Sequence, residues 1–223
     1  MKNIVLPESQ NWDHYWSLEQ TQRFTKISWS KRRIISILKR YLKTDGIVLD
    51  AGCGSGFFSK YFCDHKMTTV ALDYAQEALT IAEKMTDGKA VTIQRDLLND
   101  DLAVNIEHRF DIIFSDGLLE HFVNEDQNRI IRNLSSVLKD DGVIITFVPN
   151  KFSPWELIRP FYMPGIEEDP FTFKQLIALN ERNNLCVKES GGINVLPFTL
   201  SPDRWCGKSF GMLLYTISGK KDS

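Results

Sequence analysis

A glycine-rich turn and the acids around it are the residues whose types and spacing could do chemistry. Val48-Leu49-Asp50-Ala51-Gly52-Cys53-Gly54-Ser55-Gly56 places a carboxylate directly before glycines spaced G-x-G-x-G. Glycines just beyond a buried strand let the backbone approach a ligand closely, and a following helix aims its first NH groups at that ligand. The dinucleotide fingerprint G-x-G-x-x-G needs glycine at position 57, which is Phe57, and no Gly-Lys-Ser/Thr follows to make a P-loop. Asp50 would repel a pyrophosphate but suits a ligand carrying an ammonium group. Asp73 ends a second apolar run, where a carboxylate takes both hydroxyls of a ribose. Asp96, in Arg95-Asp96-Leu97, can accept from an adenine amino group. Singly, Asp73 and Asp96 also read as helix caps or turn formers. Together with Asp50 they describe a nucleoside with a charged amino-acid tail.

A second group follows a later apolar run, at Asp116-Gly117-Leu118-Leu119-Glu120-His121. His121, with an unperturbed pKa of about 6.5, is the natural general base, and it also reads as an anchor for the turn. The four cysteines form no C-x-x-C pair and no Cys/His spacing suited to zinc, so they read as reduced thiols, and no metal is expected. Carboxylates distant in the chain can still converge.

These groups need elements to hold them. Short apolar runs at 46–50, 69–72, 90–94, 110–115 and 142–148 read as strands, and 57–64, 75–85 and 126–138 between them as helices. Such alternation predicts right-handed crossovers and a mostly parallel sheet. A helix at 30–43 precedes it; a helix at 173–183 and strands at 186–190 and 212–218 follow. The predicted fold is α/β: a Rossmann-like, doubly wound, mostly parallel seven-stranded sheet with helices on both faces, an N-terminal helical extension and a lid insertion after strand 5. One domain over 1–223 divides into an N-terminal helical cap (1–44), a cofactor-binding core (45–148), the lid (149–172) and a C-terminal helix and strands (173–223). Prolines punctuate the lid, and its place after the fifth strand hangs it over the carboxyl ends of the strands, where ligands bind. Trp155 and Tyr162 in the lid, with Tyr15 and Trp16 near the N-terminus, are the aromatic candidates for holding an acceptor; aromatics at 12–16 also read as packing.

Composition narrows the class. The chain has 223 residues, 43% hydrophobic and 25% charged, with net charge −2, ordinary for a folded domain that buries a core. That balance argues against a polyanion-binding surface. Eight Lys/Arg and no acid lie between Arg23 and Lys43, a solvated basic face or a docking surface for an anionic membrane, acceptor or RNA. No apolar run approaches the roughly 20 residues of a spanning helix, and no secretory signal is expected. A cytoplasmic protein follows.

The segments VLDAGCGSG, ALDYAQEAL, QRDLLND, FDIIFSDGLLEHF and LKDDGVIITFVPN, in that order within 47–148, resemble the class I S-adenosylmethionine-dependent methyltransferases of the small, single-domain kind. Lys139-Asp140-Asp141-Gly142 departs from the Lys-Pro-Gly of many relatives, in a turn. The resemblance implies S-adenosyl-L-methionine as cofactor and S-adenosyl-L-homocysteine as product. It implies that Asp50, Gly52, Cys53 and Gly54 line the methionine part, Asp73 holds the ribose, Tyr74 flanks the adenine, Asp96 and Leu97 meet its edge, and Ser115 lies beneath the cofactor. Glu120 and His121 then stand at the transfer site. The expected acceptor is a small, partly apolar or lipid-like molecule with an oxygen, nitrogen or carbon nucleophile. The rivals are methylation of RNA or protein, and a cofactor-binding partner subunit that does not methylate.

Overall fold

The computed structural model describes residues 12–98, 102–162 and 168–221, without the side chains of Asn105, Pro160 and Tyr162. Helix α1 (Trp12–Ser17) and a 3-10 helix (Glu19–Thr25) lead into α2 (Trp29–Leu38). There follow β1 (Ile47–Ala51), α3 (Phe57–Asp64), β2 (Thr68–Asp73), α4 (Gln76–Thr86), β3 (Val91–Gln94), α5 (Leu102–Asn105), β4 (Phe110–Asp116), α6 (Asn124–Ser136) and β5 (Leu138–Pro149). The remainder is α7 (Arg159–Tyr162), α8 (Phe173–Arg182), β6 (Leu185–Ile193), α9 (Asp203–Phe210) and β7 (Leu213–Lys220).

The seven strands form one sheet in the order β3-β2-β1-β4-β5-β7-β6, with β7 antiparallel to both neighbours and the other pairs parallel. Successive side chains in a strand point to opposite faces, and here each face meets helices. Leu49, Leu72, Ile113 and Ile144 pack with Ile130, Ile131 and Leu134 of α6 and Leu176 and Leu179 of α8. Their strand neighbours Val48, Ile112 and Ile145 pack with Ile34, Ile37 and Leu38 of α2 and Phe58 and Phe62 of α3. This is the doubly wound sheet that the strand and helix pattern predicts.

The differences from the sequence expectation have local causes. Helix α2 stops at Leu38, short of the expected Lys43, because the chain turns there and Arg40 and Tyr41 reach Glu189 of β6. Strand β5 starts earlier than expected, and a register shift between Phe110 and Ile112 absorbs Asp140 and Asp141. Helix α9 escapes periodicity because Gly207 is its one buried residue and Trp205 is exposed. It is placed instead by backbone contact with β6. A Cβ on Gly207 would lie 2.0 Å from the Gly192 carbonyl oxygen, and one on Gly192 would lie 1.9 Å from that of Gly207.

The amino ends of the strands are pinned by matched charges. Asp111, at the start of β4, accepts from the Ile47 amide (2.9 Å), Lys139 Nζ (2.8 Å) and Lys43 Nζ (3.2 Å). Burial raises its carboxyl, but the amide and the two lysines outweigh that and hold it at about 2.

Neither glycine at the α9–β6 contact can accept a methyl group without moving backbone. Gly207→Ala should therefore cost about 2–3 kcal/mol, at the upper end for overpacking, as a lower urea midpoint with unchanged slope; an unchanged midpoint would show that α9 is not seated on β6.

Candidate functional site

The glycine turn leaves β1 with Gly52, Gly54 and Gly56 all at positive φ (70°, 48° and 68°), which disfavours any side chain there. Gly52 and Cys53 amides donate to the Leu72 carbonyl at 2.8 and 3.0 Å, locking the turn to the end of β2. Asp73 completes the lock: Oδ2 accepts from the Gly54 amide at 2.9 Å and Oδ1 from the Ala75 amide at 3.0 Å. Burial raises its carboxyl, partly offset by those amides. Gly56 lets α3 pack on α4, where a Cβ would stand 2.5 Å from Ala82 Cα.

Beyond β2 and β3 a cavity of about 300 Å³ is lined by Asp13, Tyr74, Gln94, Arg95 and Asp96. The Tyr74 ring is largely exposed there, and Gln94 Nε2 donates to the Tyr74 carbonyl at 3.0 Å. Asp96 caps a turn, Oδ1 accepting from the Leu98 amide at 2.9 Å, as its bland reading allows. Asp50 is buried at the end of β1 and takes the Ser59 hydroxyl at 2.6 Å. Burial, opposed by Ser59 and aided by Asp116 and Asp73, pushes its carboxyl up to about 7.

Three residues expected at the cofactor turn their side chains elsewhere. The Cys53 thiol packs among Ala71, Leu79, Ala82 and Ala90, and burial raises its pKa well above the usual range. Ser115 is buried in the sheet, its hydroxyl 3.4 Å from that of Thr146. Leu97 belongs to the core, and its carbonyl accepts from Asn133 Nδ2 at 3.0 Å. A resemblance carries positions, whereas side-chain direction follows from packing; at these positions backbone alone can face a ligand.

At the end of β4 lies a dense acidic group. Glu120 is fully buried, its Oε2 without a hydrogen-bond partner. Burial, Glu168, Asp116 and Glu156 all push its carboxyl well up. Burial raises Glu168 to about 7 against the pull of Arg159, and Asp116 to about 6 against that of Lys31. Glu120, His121 and Glu168 each offer a ligand atom within 4.8 Å of the others. Glu168 arrives on the segment after β5, held where the Asp169 amide donates to the Glu120 carbonyl at 2.8 Å.

The N-terminal aromatics lie against His121 and the glycine turn. Trp12 stands edge-on to the His121 ring with centroids 4.8 Å apart, Tyr15 follows at 5.7 Å from Trp12, and Trp16 at 5.4 Å from Tyr15. Trp16 lies so close to the glycine turn that a Cβ on Gly54 would be 2.6 Å from its ring. Burial pushes the Tyr15 hydroxyl up to about 12. The segment after β5 differs from the expected aromatic lining. Its Glu156, Arg159 and Glu168 are largely buried, whereas Phe152, Leu157 and Phe161 are exposed. Trp155 is half-buried, its amide donating to Ser153 Oγ, and the Tyr162 side chain lies outside the described residues.

Lys31 escaped sequence reasoning because it sits within a basic run. Its ammonium donates to the Phe24 carbonyl and lies 4.0 Å from the centre of the Phe57 ring. Burial lowers it to about 8, opposed by Asp116. Three others of that run pair within the chain: Arg33 on Asp203 (2.6 Å), largely buried, and the half-exposed Arg40 on Glu189 (2.7 Å) and Lys43 on Asp111 and Asp141.

A glycine turn locked by an acid at the next strand, below a doubly wound sheet, defines a protein built to hold a nucleoside ligand at its strand ends. Residues 48–142 match the family described as a methyltransferase domain. The chain is 31% identical over 114 residues to the ribosomal protein L11 methyltransferase of Dictyoglomus turgidum, covering 50% of this chain and 35% of that protein, so it spans little more than a third of that relative's length. It is 25% identical over 171 residues to a ubiquinone biosynthesis O-methyltransferase of Pseudomonas fluorescens, covering 70% of this chain and 73% of that one. The N-methyltransferase NodS from Bradyrhizobium japonicum, solved in complex with S-adenosyl-L-homocysteine, shares the fold with a TM-score of 0.69 at 15% identity, over 96% of this chain and 98% of that one. Residues 48–142 carry a methyltransferase domain of the class I, S-adenosylmethionine-dependent kind. Among the described residues, no helix is long and apolar enough to cross a membrane.

A carboxyl raised by folding from its ordinary 3.8 to about 7 keeps a proton that the unfolded chain has released. Its unfavourable contribution is absent near pH 4, grows as pH rises, and is complete above about 7. Asp50→Asn should thus stabilise the ligand-free protein by roughly 1–3 kcal/mol at pH 8 and by little at pH 5. Denaturation at the two pH values checks this; equal effects at both would show that Asp50 is not held protonated.

Proposed function

We propose that the protein transfers the methyl group of S-adenosyl-L-methionine to an oxygen, nitrogen or carbon nucleophile on a small, partly apolar acceptor, with release of S-adenosyl-L-homocysteine. The observation that carries this reading is the run of acids along the strand ends, from Asp96 and Asp73 through Asp50 to Glu120 and His121. The residues present fit the cofactor. Asp50 is a buried carboxylate whose shift comes from burial and neighbouring acids, so an ammonium-bearing tail supplies the missing charge. The exposed Tyr74 face beside Asp96 suits an adenine ring, and Asp73 retains lone pairs for ribose hydroxyls. Gly52, Cys53 and Gly54 offer backbone to the methionine part, and Leu97 and Ser115 shape the floor.

The cofactor supplies an electrophilic methyl group on a sulfonium. The chain must align the acceptor, exclude water and take up a proton. Held along Asp50, Asp73 and Asp96, S-adenosyl-L-methionine would supply the methyl group, with sulfur keeping the electron pair of the bond that breaks. His121 takes the acceptor's proton, with its ring oriented by Trp12 and Glu120 alongside. Tyr15, Trp16 and Trp155 supply the covering surface, and the segment 12–25 acts as a cover over the strand ends. Likeness to an O-methyltransferase of ubiquinone biosynthesis over 70% of the chain supports an oxygen acceptor on a partly apolar molecule. The internal pairing of Arg33, Arg40 and Lys43 weakens both RNA and an anionic membrane as docking partners.

Methyl-labelled S-adenosyl-L-methionine, given with the protein to a cell extract, should place label in the lipid or small-molecule fraction; label in RNA or protein instead would overturn the acceptor class. Asp73→Ala, the control, should weaken S-adenosyl-L-homocysteine by about 1–3 kcal/mol in calorimetry. Once an acceptor is identified, His121→Ala should lower kcat by about 100-fold or more while changing cofactor affinity little. Retained turnover would remove His121 from the acceptor's chemistry.

A further inference from the structure

We propose that Glu120, His121 and Glu168 form a divalent-cation site at the acceptor end of the cleft, whose open coordination positions take an oxygen of the acceptor. This rests on the reading of Glu120 and His121 as the pair that handles the acceptor, and changes how they do so: His121 acts through the metal instead of as a free base.

The first support is convergence. Two neighbours in the chain, Glu120 and His121, meet Glu168 from the segment after β5, with one ligand atom from each within 4.8 Å of the other two. Bonds of about 2.1 Å to a common ion set such atoms roughly 3–4 Å apart, so closing on an ion needs about an ångström of movement. The second is an unsatisfied ligand. Glu120 is 1% exposed, and its Oε2 has no hydrogen-bond partner among the described residues, a costly state for a carboxylate unless something else binds it. Third is charge. Glu120, Glu156 and Glu168 crowd together, and Arg159 offsets only part: its Nε bonds Glu156 Oε2 at 3.0 Å, while its Nη1 stays 3.6 Å from Glu168 Oε2, beyond a hydrogen bond. Asp116 adds a further acid on the same side, with Lys31 as the cation acting on it. Glu168 therefore keeps ligand capacity, and the surplus charge matches a divalent ion.

The donor set indicates which ion. Two carboxylates and one imidazole suit a first-row divalent metal that tolerates oxygen and nitrogen together; calcium asks for six to eight oxygens. Three protein ligands leave positions open, as in catalytic metal sites. Trp12, edge-on to the His121 ring, holds its plane. An acceptor carrying a hydroxyl or carboxylate beside its nucleophile would be recognised by such an ion.

The test is titration of the full chain, stripped with a chelator, with Mn2+ alone, free ion being read by its paramagnetic resonance signal. One Mn2+ per chain is expected. Glu168→Gln should weaken it about tenfold or more, and Glu120→Gln should abolish it, while Glu168→Gln leaves S-adenosyl-L-homocysteine affinity within about twofold. Should Glu120→Gln fail to fold, as its melting would show, Glu168→Gln decides alone. Absence of stoichiometric binding, or equal binding by Glu168→Gln, overturns the site. Metal binding together with label only in RNA or protein would retain the site and reject the small acceptor; label in small molecules without metal binding would do the reverse.

Discussion

The structure depends on carboxylates that it buries without enough positive charge to match them. Asp50, Asp73 and Glu120 end up buried at the carboxyl ends of parallel strands, with Asp116 and Glu168 partly buried beside them. Burying an ionised carboxylate costs several kcal/mol unless a partner restores what water supplied. Here the partners are an amide, a hydroxyl or one distant cation. The rest of the fold has to absorb that cost, and it does so through a sheet covered on both faces by continuous apolar clusters.

The two ends of β4 show that the imbalance is local. Asp111 at its start collects an amide and two lysines and sits at about 2; Asp116 at its end has Lys31 in its surroundings and sits at about 6. The same contrast separates Glu189, satisfied by Arg40, Tyr41 and Tyr215, from Glu120, whose Oε2 is unpaired. Acids that serve the fold are matched within the chain. At the strand ends the matching is thinner: Asp73 takes two backbone amides and Asp50 one hydroxyl, while Glu120 Oε2 has no hydrogen-bond partner among the described residues.

How legible this is from sequence follows from what kind of information each residue carries. The helices appear through period 3.6 and the core strands as short continuous apolar runs, because both faces of the sheet are covered and Val48 and Leu49, or Ile112 and Ile113, are apolar in succession. Asp50, Asp73 and Asp96 are legible because each lies at or just beyond the end of a strand in a topology whose ligands sit at strand ends. Glu168 is not: it is one acid in an irregular segment, and only the contact of Asp169 with the Glu120 carbonyl brings it in. Lys31 is hidden by its basic neighbours. Cys53, Ser115 and Leu97 are well placed in the chain but turned into the core, a matter of packing that motif spacing does not encode. The same holds for the segment after β5, where aromatic composition suggests an apolar lining and the folded chain instead buries Glu156, Arg159 and Glu168.

The N-terminal segment ties these observations together. Its aromatic chain runs from Trp12 on the His121 ring, through Tyr15 and Trp16, to Phe24, whose carbonyl takes both the Ser55 hydroxyl and the Lys31 ammonium. Trp16 meanwhile lies on Gly54. One short stretch therefore touches the glycine turn, the acid–histidine pair and the buried lysine that faces Asp116. Removing water from around buried acids strengthens every charge interaction among them, and this segment packs against the glycine turn and the His121 ring where those acids lie. The aromatic packing at 12–16, which taken alone is ordinary packing, in this fold joins the His121 ring to the glycine turn.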